Sequence, residues 1–344
     1  MFYDCKDVIL AASEAFLSHA PADDSHPENP ERLRRLVCRK PLFPQFESRD
    51  RTLDLTHLPE WIAQVHDGYM IDHLEAATGN VGHFDADTYY SAKSVETAGL
   101  AAAACRELAL DIWKGKYRRG FAICRPPGHH ATAKRPMGFC LLNNIAIAVK
   151  SVLLESPGAR LAVVDFDLHH GNGTQDAFYE NQNVLFVSSH RFPFYPGTGH
   201  YKEIGDGKGK GTTLNLPLPE AYGDGFFFSL YEQIVIPALV EFQPEMIFVS
   251  AGFDGHIDDP MRGLSLTTQG YQILTEMLVS AAEEICAGKI FFALEGGYNP
   301  AALIESIDAV VDMLLTLPRR GFEISVTGDA HPLIDQFRRV FVIR

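Results

Sequence analysis

Three acidic and imidazole side chains alternate along one short segment of the chain. Asp165, Asp167 and His169 are spaced two residues apart. Alternate residues of an extended segment point to the same side, so these three can face one cavity. Catalytic zinc sites use three nitrogen and oxygen ligands of this kind and leave one position open for water or substrate. Asp167 and His169 are therefore predicted to be two metal ligands, and Asp254, which follows another apolar run, is the predicted third.

A tandem histidine pair, His129 and His130, follows an Arg-Pro-Pro-Gly turn. A pair at such a turn is harder to explain by packing than one isolated histidine. An imidazole can take a proton from a water molecule and return it to a departing amine. A buried carboxylate or amide would orient each ring and set its tautomer, and Asp165 and Asn172 are the candidates for these roles.

A tyrosine, Tyr298, ends a Glu-Gly-Gly-Tyr segment. The two glycines allow the backbone to approach a site closely. A phenol can donate a hydrogen bond to an oxygen on which negative charge develops. A tyrosine at a turn is the alternative interpretation, and taken alone this motif is a weak signal.

These polar motifs share one position, because each directly follows a short apolar run. Such runs are typical of strands buried on both faces of a sheet. The predicted strands are residues 121–124, 161–165, 184–188, 246–250 and 290–294. The predicted helices are residues 94–116, 141–154, 223–242, 267–287 and 300–315. This alternation predicts an α/β fold with a mainly parallel sheet, in which ligands bind at the carboxyl ends of the strands.

Composition excludes several classes of protein. The formal net charge of −14 argues against a nucleic-acid binder, which would carry a basic face. The six cysteines form no CxxC pair, so neither a disulfide framework nor a thiolate zinc site is expected. We expect no signal peptide, because the amino-terminal residues lack a basic segment followed by a long apolar one, and no apolar run is long enough to predict a membrane span. We expect a cytoplasmic protein with a single domain over residues 1–344, a core of about 20–316 and a carboxyl-terminal extension over 321–344.

Six motifs, in order along the chain, resemble those of the histone deacetylase and acetylpolyamine amidohydrolase superfamily. The resemblance covers residues 20 to 316 approximately and is greatest to the class II and bacterial branches. It implies the arginase–deacetylase fold, a single mainly parallel sheet of about eight strands with helices on both faces. The motifs are Arg125-Pro-Pro-Gly-His-His-Ala131, Gly138-Phe-Cys-Leu-Leu-Asn-Asn144, Asp165-Phe-Asp-Leu-His-His-Gly-Asn-Gly-Thr-Gln175, Tyr195-Pro-Gly-Thr-Gly199, Ala251-Gly-Phe-Asp254 and Glu295-Gly-Gly-Tyr298.

The resemblance also implies a role for each matching residue. It makes His129 and His130 the acid–base pair, with His130 as the general base and acid, and gives Tyr298 the polarisation of the acetyl carbonyl. One Zn²⁺ would be held by Asp167, His169 and Asp254. Walls of a narrow channel would come from Phe139 and Tyr195, with Cys140 near the acetate-binding end. A structural K⁺ would be bound by Asp165, the backbone of Asp167 and His169, Ser188 and the carbonyl of Ser189.

One position departs from the pattern of the acetylpolyamine branch. That branch can carry a glutamate directly after the Asp-Pro that follows the third metal ligand, whereas this chain has Met261. An apolar residue there favours an acetylated lysine in a protein or peptide over an acetylated polyamine. Asp85 or Asp87 could still supply a carboxylate at the channel rim, or could belong to a solvated loop.

Alternatives remain at this point. A binuclear ureohydrolase shares the implied fold, and Asp254, His256 and Asp258 could hold a second metal. A non-catalytic acyl-lysine binding module would be expected to lack a ligand, a histidine of the pair or Tyr298, and none is missing. Iron(II) suits the same ligand set as zinc. The physiological substrate, the acyl length and the oligomeric state stay open.

Overall fold

The computed structural model describes residues 7–23, 25–37, 60–316 and 331–341. In this part of the chain, seven strands form one parallel sheet in the order β1-β4-β9-β8-β5-β6-β7, and β2 and β3 form a separate antiparallel hairpin. The strands are β1 (Val8–Ala11), β2 (Gly82–His83), β3 (Tyr89–Tyr90), β4 (Arg119–Ala122), β5 (Leu161–Asp165), β6 (Val184–Arg191), β7 (Thr213–Leu218), β8 (Met246–Ala251) and β9 (Ile290–Leu294).

Helices cover both faces of the sheet. Alternate residues of each central strand contribute to different hydrophobic clusters, as Val163 and Val164 of β5 do. Helices α1 and α6 to α10 pack into one cluster, and α2 to α5 pack into the other. Their bounds are α1 (Glu31–Val37), α2 (Gly68–Ala77), α3 (Ser94–Trp113), α4 (Asn144–Glu155), α5 (Asn172–Phe178), α6 (Asp224–Leu230), α7 (Ile236–Phe242), α8 (Thr268–Cys286), α9 (Pro300–Leu315) and α10 (Pro332–Phe341).

The predicted α/β fold with a mainly parallel sheet is confirmed. The sheet has seven strands in the described residues, where the resemblance implied about eight. Strands β5 and β9 have the predicted bounds, because their apolar runs are continuous and end abruptly at polar residues. The short hairpin of β2 and β3 was not predicted, since two-residue strands leave no periodic pattern to detect.

The helix predicted over 223–242 is continuous but changes type in the middle. A π-helical segment, Tyr231–Val235, separates α6 from α7. Pro237 lies just after it, and a proline lacks the N–H that an α-helix needs and crowds the carbonyl four residues earlier. The whole segment, Asp224–Phe242, is apolar and long enough to span a membrane by length and composition alone. However, 56% of its most apolar window is buried inside the protein, as expected of a core helix.

The carboxyl-terminal extension contains one helix in its described part. Ile334 and Phe337 of α10 are fully buried in the cluster that α6 to α9 share. Residues 321–330 and 342–344 of the predicted extension lie outside the described residues. The same is true of Cys5 and Cys38, while the four cysteines within the described ranges are free thiols.

The order of the strands places one crevice at the centre of the sheet. The chain runs from β5 outward to β6 and β7, then returns to the other side of β5 with β8 and β9. Such a reversal opens a crevice at the carboxyl ends of the strands. Asp165 at the end of β5 is in register with Ser188 on β6 and with Ser250 on β8. The polar motifs that follow these strands therefore meet at one edge.

Candidate active site

Two carboxylates and one imidazole meet at this crevice. Ligand atoms of Asp167, His169 and Asp254 all lie within 4.8 Å of one another. The Nδ1 atom of His169 is 3.2 Å from Asp167 Oδ1 and 3.0 Å from Asp254 Oδ2. Although burial favours the neutral ring, these carboxylates raise the pKa of His169 to about 9. Two buried carboxylates this close together create a strong demand for positive charge, which a divalent cation would meet.

Backbone groups from two loops fix the carboxylates. The amide of Leu168 donates to Asp254 Oδ1 over 3.0 Å, and the amide of Gly296 donates to Asp167 Oδ2 over 2.9 Å. A Cβ atom at Gly296 would lie only 2.4 Å from Asp254 Oδ2, which is closer than Cβ atoms approach other heavy atoms in proteins. This close approach explains why the loop after β9 needs a glycine here.

Each histidine of the tandem pair has one buried partner. The Nδ1 atom of His129 is 2.9 Å from Asp165 Oδ2, and Nδ1 of His130 is 2.8 Å from Asn172 Oδ1. Burial lowers the pKa of His130 well below its ordinary value, and positive charge on His129 and His169 lowers it further. Asp165 and Asp167 outweigh the burial of His129 and raise its pKa to about 10. The environments therefore favour a neutral His130, able to accept a proton, beside a cationic His129.

The two histidines should respond differently to removal. We expect His130→Ala to lower kcat on an acetyl-lysine peptide by about 100-fold or more, the usual range for a lost general base. His129→Ala should cost less, because His129 stays protonated. Steady-state kinetics at equal metal content would compare the two variants. The reverse order would show that the two roles are exchanged.

Tyr298 is held in place by a residue that the sequence did not reveal as functional. Arg32 donates to the carbonyls of Gly297 and Glu295, both over 2.6 Å. Its guanidinium lies 4.9 Å from the centre of the Tyr298 ring. Arg32 is itself buried and paired with Glu28 over 2.9 Å. The sequence did not reveal this role, because a buried arginine cannot be distinguished from an exposed one by sequence pattern.

A buried glutamate supports the histidine pair. Glu295 Oε2 accepts the amides of Gly128 over 2.6 Å and His129 over 3.1 Å, and Ser250 donates to its Oε1. Burial raises the pKa of Glu295 to about 7. The first residue of the Glu-Gly-Gly-Tyr motif therefore positions the backbone of the histidines, a role that its place in the sequence does not reveal.

Aromatic side chains surround the approach to the site. The Phe139 ring is 5.7 Å from the Tyr298 ring, and the Tyr195 ring is 5.2 Å from the His130 ring. Tyr195 is 39% exposed, so it extends from the catalytic residues to solvent. Met261 is partly buried and packs against the larger hydrophobic cluster. The predicted wall residues Phe139 and Tyr195 thus contact the predicted catalytic residues directly.

The remaining predicted channel and rim residues lie nearby. Cys140 is fully buried, and its thiol donates to the carbonyl of Gly138. Asp85 and Asp87 are exposed in the hairpin between β2 and β3, where Asp85 accepts the amide of Asp87. The pKa of Tyr195 is raised mainly by burial and next by the nearby Cys140. The carboxylates of Asp85 and Asp87 raise it further. They are therefore close enough to affect the exposed end of the channel wall.

Residues of the predicted potassium site lie at the end of β5 and beside it within β6. Asp165 and Ser188 are partners in the sheet register. The hydroxyl of Ser189 is 3.5 Å from the carbonyl of Asp165, and the hydroxyl of Ser188 is 2.9 Å from His190 Nδ1. The structure thus brings Asp165, Ser188 and Ser189 to the same region behind the catalytic residues.

Comparison with known proteins gives several matches. A family model, the histone deacetylase domain, matches residues 26–314. Histone deacetylase 14, chloroplastic, from Arabidopsis thaliana is 38% identical over 303 residues, which cover 83% of this chain and 71% of that protein. A probable deacetylase from Archaeoglobus fulgidus is 37% identical over 315 residues, which cover 91% of this chain and 86% of the relative. A solved structure of the HDA15 HD domain has a TM-score of 0.86 and 32% sequence identity, covering 98% of this chain and 94% of that one.

These matches include the whole site. The family model spans the segment from His129 to Tyr298, with the three predicted metal ligands between them. Similarity extends over most of this chain in both sequence and structure, and the sheet order brings the matched motifs to one crevice. The chain therefore belongs to the histone deacetylase family.

Proposed function

We propose that this deacetylase is zinc-dependent and hydrolyses the amide of acetyl-lysine, or of a related acetylated amine, to release acetate. The observation that carries the proposal is the buried group of Asp167, His169 and Asp254 beside His130, whose Nδ1 atom is 2.8 Å from Asn172 and whose pKa is lowered by burial. Its alternative within the family is an acetylpolyamine amidohydrolase.

The proposed metal fits its donor set. Two carboxylates and one imidazole match a catalytic zinc site with three protein ligands. When bound, the cation supplies Lewis acidity that polarises an amide carbonyl and makes a nearby water more acidic. Iron(II) suits the same ligands, so the metal in the cell would depend on availability. We also propose K⁺ at Asp165, the backbone of Asp167 and His169, Ser188 and the carbonyl of Ser189, where it would neutralise charge behind the pair of histidines.

The catalytic residues have complementary tasks in this reaction. His130 takes a proton from the attacking water as its oxygen bonds to the amide carbon. The Tyr298 hydroxyl donates a hydrogen bond to the carbonyl oxygen as that oxygen gains negative charge. His130 then gives the proton to the departing nitrogen as the carbon–nitrogen bond breaks, leaving acetate and a free amine. His129, fixed by Asp165, stabilises the negative charge around the metal ligands.

A second-metal site receives little support from the geometry. Within the described ranges, Asp167, His169 and Asp254 are the only group of three or more acidic, histidine or cysteine residues whose ligand atoms lie close enough together to hold a metal. His256 accepts the backbone amide of Asp258 and is 3.9 Å from its carboxylate. A binuclear ureohydrolase would bind two metals per chain, so metal analysis separates it from the proposed enzyme.

Acetate release tests the proposal directly. The purified chain, loaded with zinc, should release acetate from an acetyl-lysine peptide, and a chelator should stop the reaction. A screen of longer acyl-lysines and acetylated polyamines would then define the substrate. Peptide binding without acetate release, at one metal per chain, would instead identify an acyl-lysine binding module.

The residue at position 261 should control the choice between lysine and polyamine substrates. A polyamine carries a second ammonium, which needs a carboxylate partner when it is held in a dry channel mouth. Met261 offers only apolar contact. We expect Met261→Glu to shift the ratio of kcat/KM for acetylated spermidine over an acetyl-lysine peptide by about tenfold, roughly 1.4 kcal/mol.

The matched control is Met261→Gln, which has nearly the same shape as glutamate without its charge, and which should leave that ratio unchanged. If the unmodified chain already prefers the polyamine by tenfold or more, a carboxylate elsewhere in the channel pairs with the second ammonium of the polyamine. Asp85 and Asp87 would then be the residues to replace.

A further inference from the structure

One buried carboxylate beside the site has no part in the reaction above. Asp259 is only 3% exposed, and among the described residues no cationic side chain pairs with it. Its carboxylate is satisfied by backbone amides instead. The Oδ2 atom accepts the amides of Tyr298 over 2.7 Å and Asn299 over 3.1 Å, and the Oδ1 atom accepts the amide of Met261 over 3.0 Å.

The loop that carries Tyr298 needs external restraints. Gly297 has a φ of 118°, a conformation that other residues rarely adopt, and two consecutive glycines impose little stiffness of their own. Arg32 restrains this loop through the carbonyls of Glu295 and Gly297. Asp259 restrains it through the amides of the next two residues. The Arg32 guanidinium thus binds backbone carbonyls of the loop, and the Asp259 carboxylate binds its backbone amides.

Asp259 also links two parts of the site. One of its carboxylate oxygens accepts the backbone amide of Tyr298, and the other accepts the backbone amide of Met261. The backbone positions of Tyr298 and Met261 are thus set by one rigid group. Hydrogen bonds to a charged acceptor are stronger than those to a neutral one, which suits a restraint on a glycine-rich loop.

We propose that Asp259 is a positioning residue, which places the Tyr298 hydroxyl for the transition state and does not contact the substrate. The inference rests on the proposed function, because it assumes that Tyr298 stabilises the oxyanion. A misplacement of about 1 Å at a catalytic group can cost about 100-fold in rate. The loss should appear in kcat more than in KM, since the phenol acts mainly in the transition state.

Asp259→Ala tests this positioning role. We expect kcat on an acetyl-lysine peptide to fall by about 100-fold, with metal content unchanged at one per chain. Asp259→Asn should retain much of the activity, because its amide oxygen can still accept the Tyr298 and Asn299 amides. Asp258→Ala is the matched control, since Asp258 is the preceding residue, carries the same charge, and has a side chain that is 72% exposed.

A double variant separates positioning from a general structural effect. In a Tyr298→Phe background no hydroxyl remains to be positioned, so adding Asp259→Ala should lower kcat by less than about threefold. The proposal would be overturned if Asp259→Ala lowered kcat by the same factor with Tyr298 and with Phe at position 298. It would also be overturned if kcat of Asp259→Ala lay within threefold of the unmodified enzyme. Loss of metal in Asp259→Ala would also overturn it, because the residue would then act through the ligands.

The outcome stays decisive if Asp259→Ala does not fold. Asp259→Ser then takes its place, because its short side chain leaves the Tyr298 and Asn299 amides without their acceptor, and a loss of kcat that disappears in the Tyr298→Phe background supports the same role. If Tyr298→Phe is itself fully active, the role given to Tyr298 in the proposed function fails. If Tyr298→Phe is impaired and the variant that removes the Asp259 acceptor, Asp259→Ala or Asp259→Ser, is not, only the positioning role fails.

Discussion

Replacing Tyr298 by phenylalanine should lower kcat on an acetyl-lysine peptide by about 10²–10³-fold, as the loss of one oxyanion donor does in comparable sites. The phenyl ring keeps the contact with the Phe139 ring and the position under the Arg32 guanidinium. The backbone amide that Asp259 accepts is also unchanged. Folding and metal content should therefore be preserved, and the loss should fall on the chemical step.

A tyrosine elsewhere in the fold provides a control for this change. Tyr222 has a hydroxyl 3.5 Å from His331, next to α10, and Tyr222→Phe should leave kcat unchanged. Steady-state kinetics and metal analysis of both variants complete the comparison. If Tyr298→Phe loses less than about tenfold in kcat, another group stabilises the oxyanion, and the assignment of Tyr298 is wrong.

Replacing Asp254 by alanine should abolish tight metal binding and, with it, turnover. Partners outside the ligand shell already contribute about 10–100-fold to the affinity of metal sites, so removal of a ligand should cost more. The remaining Asp167 and His169 would bind a divalent cation only weakly. Metal analysis should give one zinc per chain before the substitution and far less after it.

Thermal unfolding provides a readout of metal binding that does not depend on activity. A cation that binds only the folded state raises the melting temperature by an amount that grows with its affinity and its free concentration. Zinc should therefore raise the Tm of the unmodified chain and of Asp258→Ala, but not the Tm of Asp254→Ala. One zinc per chain in Asp254→Ala would show that the third ligand is another residue, whereas loss of a metal in Asp258→Ala would favour a binuclear site.

Much of the site could be predicted from sequence because its residues stand in short motifs after continuous apolar runs. Strand ends such as Asp165 are recognisable where a run of buried residues stops at a polar one. Asp167 and His169 follow it at the spacing that places them on one side, and the structure brings them to the same cavity. The pairings of His129 with Asp165 and of His130 with Asn172 also agree with the expected partners.

Other features depend on contacts between distant segments, which no local pattern reveals. Arg32 is 265 residues away in sequence from Gly297, yet it donates a hydrogen bond to the Gly297 carbonyl. Asp259, which follows β8, accepts the backbone amide of Tyr298 in the same loop. Each is a charged residue in a polar stretch, so composition alone suggests a solvated surface position. Their burial and backbone partners are visible only when the loops are packed together.

The sequence by itself determined the fold class, the family and the candidate catalytic and metal-binding residues. These follow from strand and helix periodicity and from motif spacing, which are local properties of the chain. Only the tertiary structure decided the protonation tendencies of those residues. His129 and His130 are adjacent and chemically identical, yet the pKa of one is raised by buried carboxylates and that of the other is lowered by burial and neighbouring positive charge. Such shifts arise from desolvation and from charges brought close by folding, so they depend on distances in space and not on positions along the chain.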